Sequence, residues 1–404
     1  MREWKEIEFS NVLIDESISY GIVQPGAHTE IDSVPIIRVN NIKNGYIKTD
    51  DVLKVNSAIE DKYKRTRLNG GELLITVVGS IGECAIVPEN LKGWNVARAV
   101  SVAKIKKDYD VRFIKYAFKT DDIIYQMYGN TNDTVQPTLN LSLLKTLKFL
   151  IPPLPEQTAI AEVLSSLDDK IDLLHRQNET LEQLAETLFR QWFVEEAEVG
   201  WTKTSLAEHT EVYRGLSYKG SGLTVEGNGL PMHNLNSVYE FGGYKDEGIK
   251  YYNGEYRDRH LANAGDIIVT NTEQGHEFRL IGFPGIVPIH FGETGLFSQH
   301  IYRLVPLKET YLTNHFIYYL LMVPLVREQI TAATNGSTVN MLAIEGLQLP
   351  EFKLPPKQKV LEFSEIVDKL WKKKAVNQNQ IRTLTQLRDT ILPKLMSGEV
   401  KVLN

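Results

Sequence analysis

The sequence predicts an α+β protein with a pseudo-twofold internal repeat, in which an antiparallel pair of long coiled-coil helices separates two β-rich domains. Three observations predict it. Short motifs recur in the same order in both halves of the 404-residue chain. Each half ends in a long stretch whose seam residues alternate spacings of three and four, as in a coiled coil. The remainder consists of short strand-like runs bounded by Gly, Asn and Asp. The expected division is 1–150 and 199–352 for the β-rich domains, 151–198 for a central helix and 353–404 for a C-terminal helix.

The repeat comes first. Trp4 opens one half and Trp201 the other. Pro35-Ile36-Ile37-Arg38-Val39-Asn40 is echoed by Pro231-Met232-His233-Asn234-Leu235-Asn236, and Gly71-Glu72-Leu73-Leu74-Ile75-Thr76 by Gly265-Asp266-Ile267-Ile268-Val269-Thr270. Ile86-Val87-Pro88 returns as Ile286-Val287-Pro288, and Phe113-Ile114-Lys115-Tyr116 as Phe316-Ile317-Tyr318-Tyr319. Thr134-Val135 ahead of Ile151-Pro152-Pro153 returns as Thr338-Val339 ahead of Leu354-Pro355-Pro356. A shared order of matches points to one scaffold used twice. The residues between the matches differ, as two copies with different targets require.

The central helix is expected over 156–196, with Pro155 at its first position and Glu156 favoured by the helix dipole. Its seam runs Ile160, Leu164, Leu167, Ile171, Leu174, Asn178, Leu181, Ala185, Leu188 and Trp192. Asn178 is the polar seam residue that fixes register. The C-terminal helix begins near Gln358 and its seam runs Val360, Phe363, Val367, Leu370, Lys374, Asn377, Ile381, Leu384, Arg388 and Ile391. Pro393 is expected to break or kink it, and Gly398 suits its end. Residues 156–198 carry 3 Lys/Arg against 11 Asp/Glu, and 357–404 carry 10 against 5, so the two helices attract each other. An intramolecular antiparallel pair is the simplest arrangement; homodimerisation through the same helices is the alternative.

In the β-rich domains Asn44-Gly45 marks a hairpin turn. Leu73–Val78 and Ile267–Thr270 read as buried strands, and 110–125 and 311–330 as helical; the order of strands in the sheets is left open. Basic and amide side chains beside turns suit phosphate and base contacts. In the first domain these are Arg38, Asn40, Lys43, Lys48, Lys62, Lys64, Arg65 and Arg67, with Ser80 in the small-residue loop Val78–Gly82, where backbone N–H groups suit a phosphate. Their analogues in the second are Asn234, Asn236, Arg257, Arg259, His260, Asn271, Gln274 and Arg279. Each also fits a solvated loop residue.

Composition narrows the class. The single cysteine, Cys84, makes neither an intrachain disulfide nor a cysteine-based metal site, and fits a reducing cytoplasm. The start Arg2-Glu3-Trp4-Lys5 does not resemble a secretory leader, and Phe316–Val326 is too short for a membrane span. The net charge of −6 weighs against nucleic-acid binding and favours a coiled-coil interaction scaffold. Residues 1–155 hold 20 basic against 19 acidic side chains, and 199–356 hold 12 against 16. Enzyme signatures are missing: no Asn/Asp-Pro-Pro-Tyr, no Gly-rich loop ending Gly-Lys-Ser/Thr, no Gly-x-Ser-x-Gly, and no metal-ligand spacing around His209, His233 or His260. Pro88-Glu89 with Lys92 is a poor match to a nuclease site. Binding fits better than catalysis by this chain alone.

Two motifs carry a family resemblance. Ile151-Pro152-Pro153-Leu154-Pro155-Glu156-Gln157, followed by an acidic heptad helix ending Phe189-Arg190-Gln191-Trp192-Phe193, resembles the centre of type I restriction–modification specificity (S) subunits. Leu387 to Glu399, with its Ile391-Leu392-Pro393-Lys394-Leu395-Met396-Ser397-Gly398 core, resembles their C-terminal region. Leu354-Pro355-Pro356-Lys357-Gln358 departs from the first motif by lacking Leu-Pro-Glu. The resemblance implies two target-recognition domains, each reading half of a bipartite, asymmetric DNA site, with the helix pair as a ruler for the gap. It implies two methyltransferase (M) and two restriction (R) subunits as partners. S-adenosylmethionine, ATP and Mg²⁺ then sit on those partners and none on this chain.

Overall fold

The computed structural model describes residues 4–129, 138–275, 277–336 and 339–402; Thr134-Val135 and Thr338 of one sequence match lie outside them. The chain forms two compact units, 1–171 with 383–404, and 172–382, so both long helices pass from one unit into the other.

The first unit is organised by a four-stranded antiparallel sheet in the order Leu13–Tyr20, Val100–Ile105, Leu73–Thr76, Cys84–Ile86. The three strands Val100–Ile105, Leu73–Thr76 and Cys84–Ile86 are mostly buried and rich in apolar residues, whereas the edge strand Leu13–Tyr20 is largely exposed and polar. A second sheet places Ser33–Ile37 between Leu53–Asn56 and a parallel partner, Asn95–Val96. A two-stranded ribbon, Lys5–Glu8 with Lys148–Ile151, draws the start of the domain to the segment before the central helix. The Asn44-Gly45 hairpin forms as expected: Ile42 pairs with Ile47, and both turn residues have positive φ, 55° and 85°, as a two-residue hairpin turn of the primed type needs.

The second unit repeats this plan. Its four-stranded sheet runs Thr210–Arg214, Ile301–Pro306, Ile267–Thr270, Pro284–Ile286. Leu230–His233 again has a parallel partner, Thr294–Phe297, and Lys203–Ser205 pairs with Glu351–Lys353. Register is preserved: Val100 faces Thr76 in one sheet and Ile301 faces Thr270 in the other.

Three local expectations need correction. The stretch 110–125 is two helices, Val111–Ala117 and Asp121–Tyr128, because the chain turns at Phe118–Thr120. The stretch 311–330 is likewise split into Asn314–Leu320 and Pro324–Ala332, with Pro324 opening the second helix where its missing N–H costs nothing. The strand expected over Leu73–Val78 ends at Thr76.

The central helix spans Leu154–Arg190 and continues as one wide turn, Gln191–Glu195; the C-terminal helix spans Lys357–Met396. Pro393 neither breaks nor ends the helix. Leu392, Leu395 and Met396 are anchored in the first domain's core, and that packing outweighs one lost hydrogen bond near a helix end. Gly398, at φ 74°, then caps it.

The helices run antiparallel within each unit. In the second, buried Asn178 accepts from buried Asn377 at 2.9 Å, Glu182 pairs with Lys374 and Glu196 with Lys359. Phe189 packs on Phe363 and Phe316, with ring centroids 5.5 and 5.3 Å apart. Val367 and Ile381 are buried on this seam, and Leu181, Leu188 and Leu370 are half-buried. In the first unit Leu164 and Ile171 are buried, Leu167 and Leu384 half-buried, and Asp168 is 2% exposed. Asp168 accepts from Tyr116 Oη at 2.7 Å and Arg388 Nη1 at 2.9 Å, with Lys115 Nζ 3.9 Å away. Buried Gln157 of the proline motif donates to Pro152 O and accepts from Asp110 N–H, tying the helix start to the domain.

Removing the Asp168 carboxylate strands two largely buried cations. Asp168→Ala is expected to cost about 3–5 kcal/mol, read as a lowered chemical-denaturation midpoint; an unchanged midpoint shows that the triad is dispensable.

Candidate nucleic-acid interface

In the first domain the expected residues divide by what holds them. Asn40, Lys43, Lys48, Lys62, Arg65 and Ser80 are exposed. Arg38 is half-buried and its guanidinium reaches Asp51 at 3.1 Å; its N–H donates to Asn41 Oδ1, which shapes the turn Val39–Asn41. Lys64 pairs with Asp61 at 3.4 Å. Arg67 is bound into the scaffold: Nε donates to Glu60 at 2.9 Å, and Nη2 reaches both Glu60 and Asp61. Glu60 is fully buried and also accepts from Asn95 Nδ2 at 2.8 Å. The Arg67 guanidinium holds the Glu60 carboxyl below the usual carboxylate range. This network fixes the segment Ser57–Thr66 that displays Lys62, Lys64 and Arg65.

In the second domain Asn236, Arg257, Arg259, Gln274 and Arg279 are exposed, whereas Asn234, His260 and Asn271 are buried. Asn234 uses its amide internally: Nδ2 donates to Gly248 O at 2.6 Å and Oδ1 accepts from Asn236 N–H at 3.0 Å. A Cβ on Gly248 would lie 1.8 Å from Asn236 O, so only glycine fits there. Asn271 donates to Gln299 O at 3.0 Å. Burial, then the charges of Arg259 and Arg257, lower the His260 pKa.

The two domains place equivalent loops on the same frame. Lys48 N–H donates to Asn41 O at 2.8 Å, and Lys245 N–H to Ser237 O at 2.9 Å, closing the same hairpin in both. The first tip is Lys43-Asn44-Gly45-Tyr46; the second is longer, Tyr239-Glu240-Phe241-Gly242-Gly243. Gly82 N–H bonds Thr76 O and Gly282 N–H bonds Thr270 O, so a second loop is also closed alike and differs in length, 76–82 against 270–282.

In the second domain these two loops touch. Phe241 N–H donates to Arg279 O at 2.7 Å and Gly243 N–H to Pro284 O at 2.9 Å. Buried Glu273, which sequence reading missed, accepts from the N–H groups of Arg279, Leu280 and Ile281 at 3.0, 3.0 and 2.8 Å. Phe241 and Phe278 sit at φ 65° and 51°, in the left-handed region, a strain on the order of 1–3 kcal/mol each. Arg327 supports them, donating to Ile281 O at 2.7 Å with its guanidinium 3.6 Å over the Phe283 ring. Phe241 is 60% exposed and was not foreseen; the Gly242-Gly243 pair that follows it was the only signal.

Behind the hairpin, buried His233 contacts Tyr244 Oη through Nδ1 at 2.7 Å. Burial, then the charge of His290, pushes its pKa down to about 3 from 6.5. Folded His233 therefore stays neutral where the unfolded chain takes up a proton. Its contribution is complete above pH 6.5 and is lost as pH falls towards 3. Between pH 7 and 5 the loss is about 2 kcal/mol from this group. Urea midpoints at the two pH values are expected to fall further in the native chain than in His233→Gln; equal losses would remove His233 as the cause.

The comparisons agree with this architecture. The sequence matches the type I restriction modification DNA specificity domain over 21–183 and again over 198–386. It is 27% identical over 355 residues, 82% of this chain and 78% of the relative, to the type I restriction enzyme MjaIX specificity subunit of Methanocaldococcus jannaschii. A putative MjaX specificity subunit of the same organism is 23% identical over 99% of this chain and 94% of its own length. The crystal structure of a type I restriction–modification S subunit from M. genitalium shares the fold, with a TM-score of 0.59 and 16% identity over 97% of this chain and 96% of that one. With both halves of the repeat matched, the chain belongs to the type I restriction–modification DNA specificity family, whose members are the non-catalytic DNA-recognition components of their systems.

Proposed function

We propose that each domain reads one half of a bipartite, asymmetric DNA site, and that the paired helices set the unspecified gap between the halves. The duplicated scaffold supports this: identical backbone bonds close loops whose exposed tips differ. One frame with two tips suits two half-sites of different sequence. Two methyltransferase subunits dock on the helices, and two restriction subunits complete the nuclease. S-adenosylmethionine, ATP and Mg²⁺ belong to those partners, and the assembly works on DNA in the cytoplasm.

Methylome sequencing of cells carrying this subunit with its methyltransferase partner is expected to reveal a two-part adenine-methylated motif with a fixed gap. Deleting 172–178 together with 375–381 removes one heptad from each helix and keeps the seam in phase. The gap is expected to shorten by about 10 Å, roughly three base pairs, with both half-sites unchanged. An unaltered gap overturns the ruler. The net charge of −6 favours the competing reading, a scaffold that never meets DNA. Affinity of the assembled complex for its site that falls steeply with salt supports DNA contact, and flat affinity supports the scaffold.

A further inference from the structure

The backbone of Arg279, an exposed cation of the second domain's loops, is held by two different elements, its own loop and the neighbouring hairpin tip. Its N–H is bound by buried Glu273 and its carbonyl by Phe241 N–H, so the backbone is fixed from both sides. Its side chain is 47% exposed and lies between two exposed carboxylates, Glu277 at 2.9 Å and Glu240 at 3.8 Å. Glu240 comes from the hairpin tip and Glu277 from the loop, so the trio bridges the two elements that differ between the domains. Exposed pairs of this kind are weak and give way easily to a better partner.

The charges decide which partner. A phosphate approaching Arg279 meets two carboxylates, and like charges repel it. A base edge does not suffer that repulsion. Arginine pairs bidentately with guanine O6 and N7, and a glutamate accepts from cytosine N4. We propose that Arg279, with Glu240 or Glu277, reads one G·C pair of the second half-site in the major groove. The corresponding loop of the first domain, 77–82, is Val77-Val78-Gly79-Ser80-Ile81-Gly82 and offers no cation, so this readout belongs to one half only. The inference rests on the bipartite reading above.

The test uses the assembled complex with its methyltransferase partner and duplexes in which each pair of the second half-site is changed in turn. Arg279→Ala is expected to lower discrimination about ten- to hundredfold at one G·C position, leaving the other positions, the first half-site and the salt slope unchanged. Replacing that guanine by 7-deazaguanine is expected to weaken the native complex and not the variant. Glu240→Gln and Glu277→Gln, both on exposed side chains, supply the arm that does not disturb folding; one of them is expected to relax the choice of cytosine at the same pair. A uniform loss over all sequences with a shallower salt slope makes Arg279 a phosphate contact and overturns the proposal, as does unchanged discrimination in all three variants. A native complex with no sequence preference in either half overturns the bipartite reading itself.

Discussion

Neither β-rich domain completes its core without both long helices. In the first, Ile160, Ala161 and Leu164 of the central helix and Leu392, Leu395 and Met396 of the C-terminal helix pack among Phe9, Phe113 and Phe149. In the second, Ala185 and Phe189 of one helix and Val360, Phe363 and Val367 of the other pack among Phe316, Ile317 and Phe352. Burying one such side chain is worth about 1.5–3 kcal/mol, so undocking either helix end forfeits a large share of a domain's usual net stability of about 5–15 kcal/mol. The helices are therefore structural members of the domains and not tethers between them.

The helix pair was legible because a spacing of three and four is written directly in the residue order. Leu164, Ile171, Asn178 and Ala185 are buried as read. The flank was misjudged: Leu167 and Leu188 are half-buried, while Asp168 and Phe189 face the interior. An aspartate reads as solvated until its partner is known, and Arg388 lies 220 residues away. Strands such as Ile267–Thr270 were legible from β-branched runs, but their order was not, because Leu13–Tyr20 pairs with Val100–Ile105 across most of the domain. At the loops, sequence marked exposed cations correctly as surface but could not separate display from scaffold. Asn234, Asn271 and Arg67 have the chemistry of readers, yet the fold uses their donors internally. Glu273 shows the converse: its three N–H partners become neighbours only once the loop is closed.

The acidic total also reads differently in three dimensions. Much of the excess lies on the central helix, where Asp168, Glu182 and Glu196 are matched by Arg388, Lys374 and Lys359. Those charges specify pairing within the chain. A sum over all residues mixes them with the charges of the loops.

The first unit is discontinuous: it needs 383–404 as well as 1–171. During synthesis residues 1–171 are made first, but the core they form stays open until 383–404 have also been made. Gly398 then closes against the Trp4 ring, 394 residues earlier in the chain. The second unit is one unbroken stretch and has no such wait. A chain that stops short of 383 therefore damages the unit begun first and spares the unit 172–382.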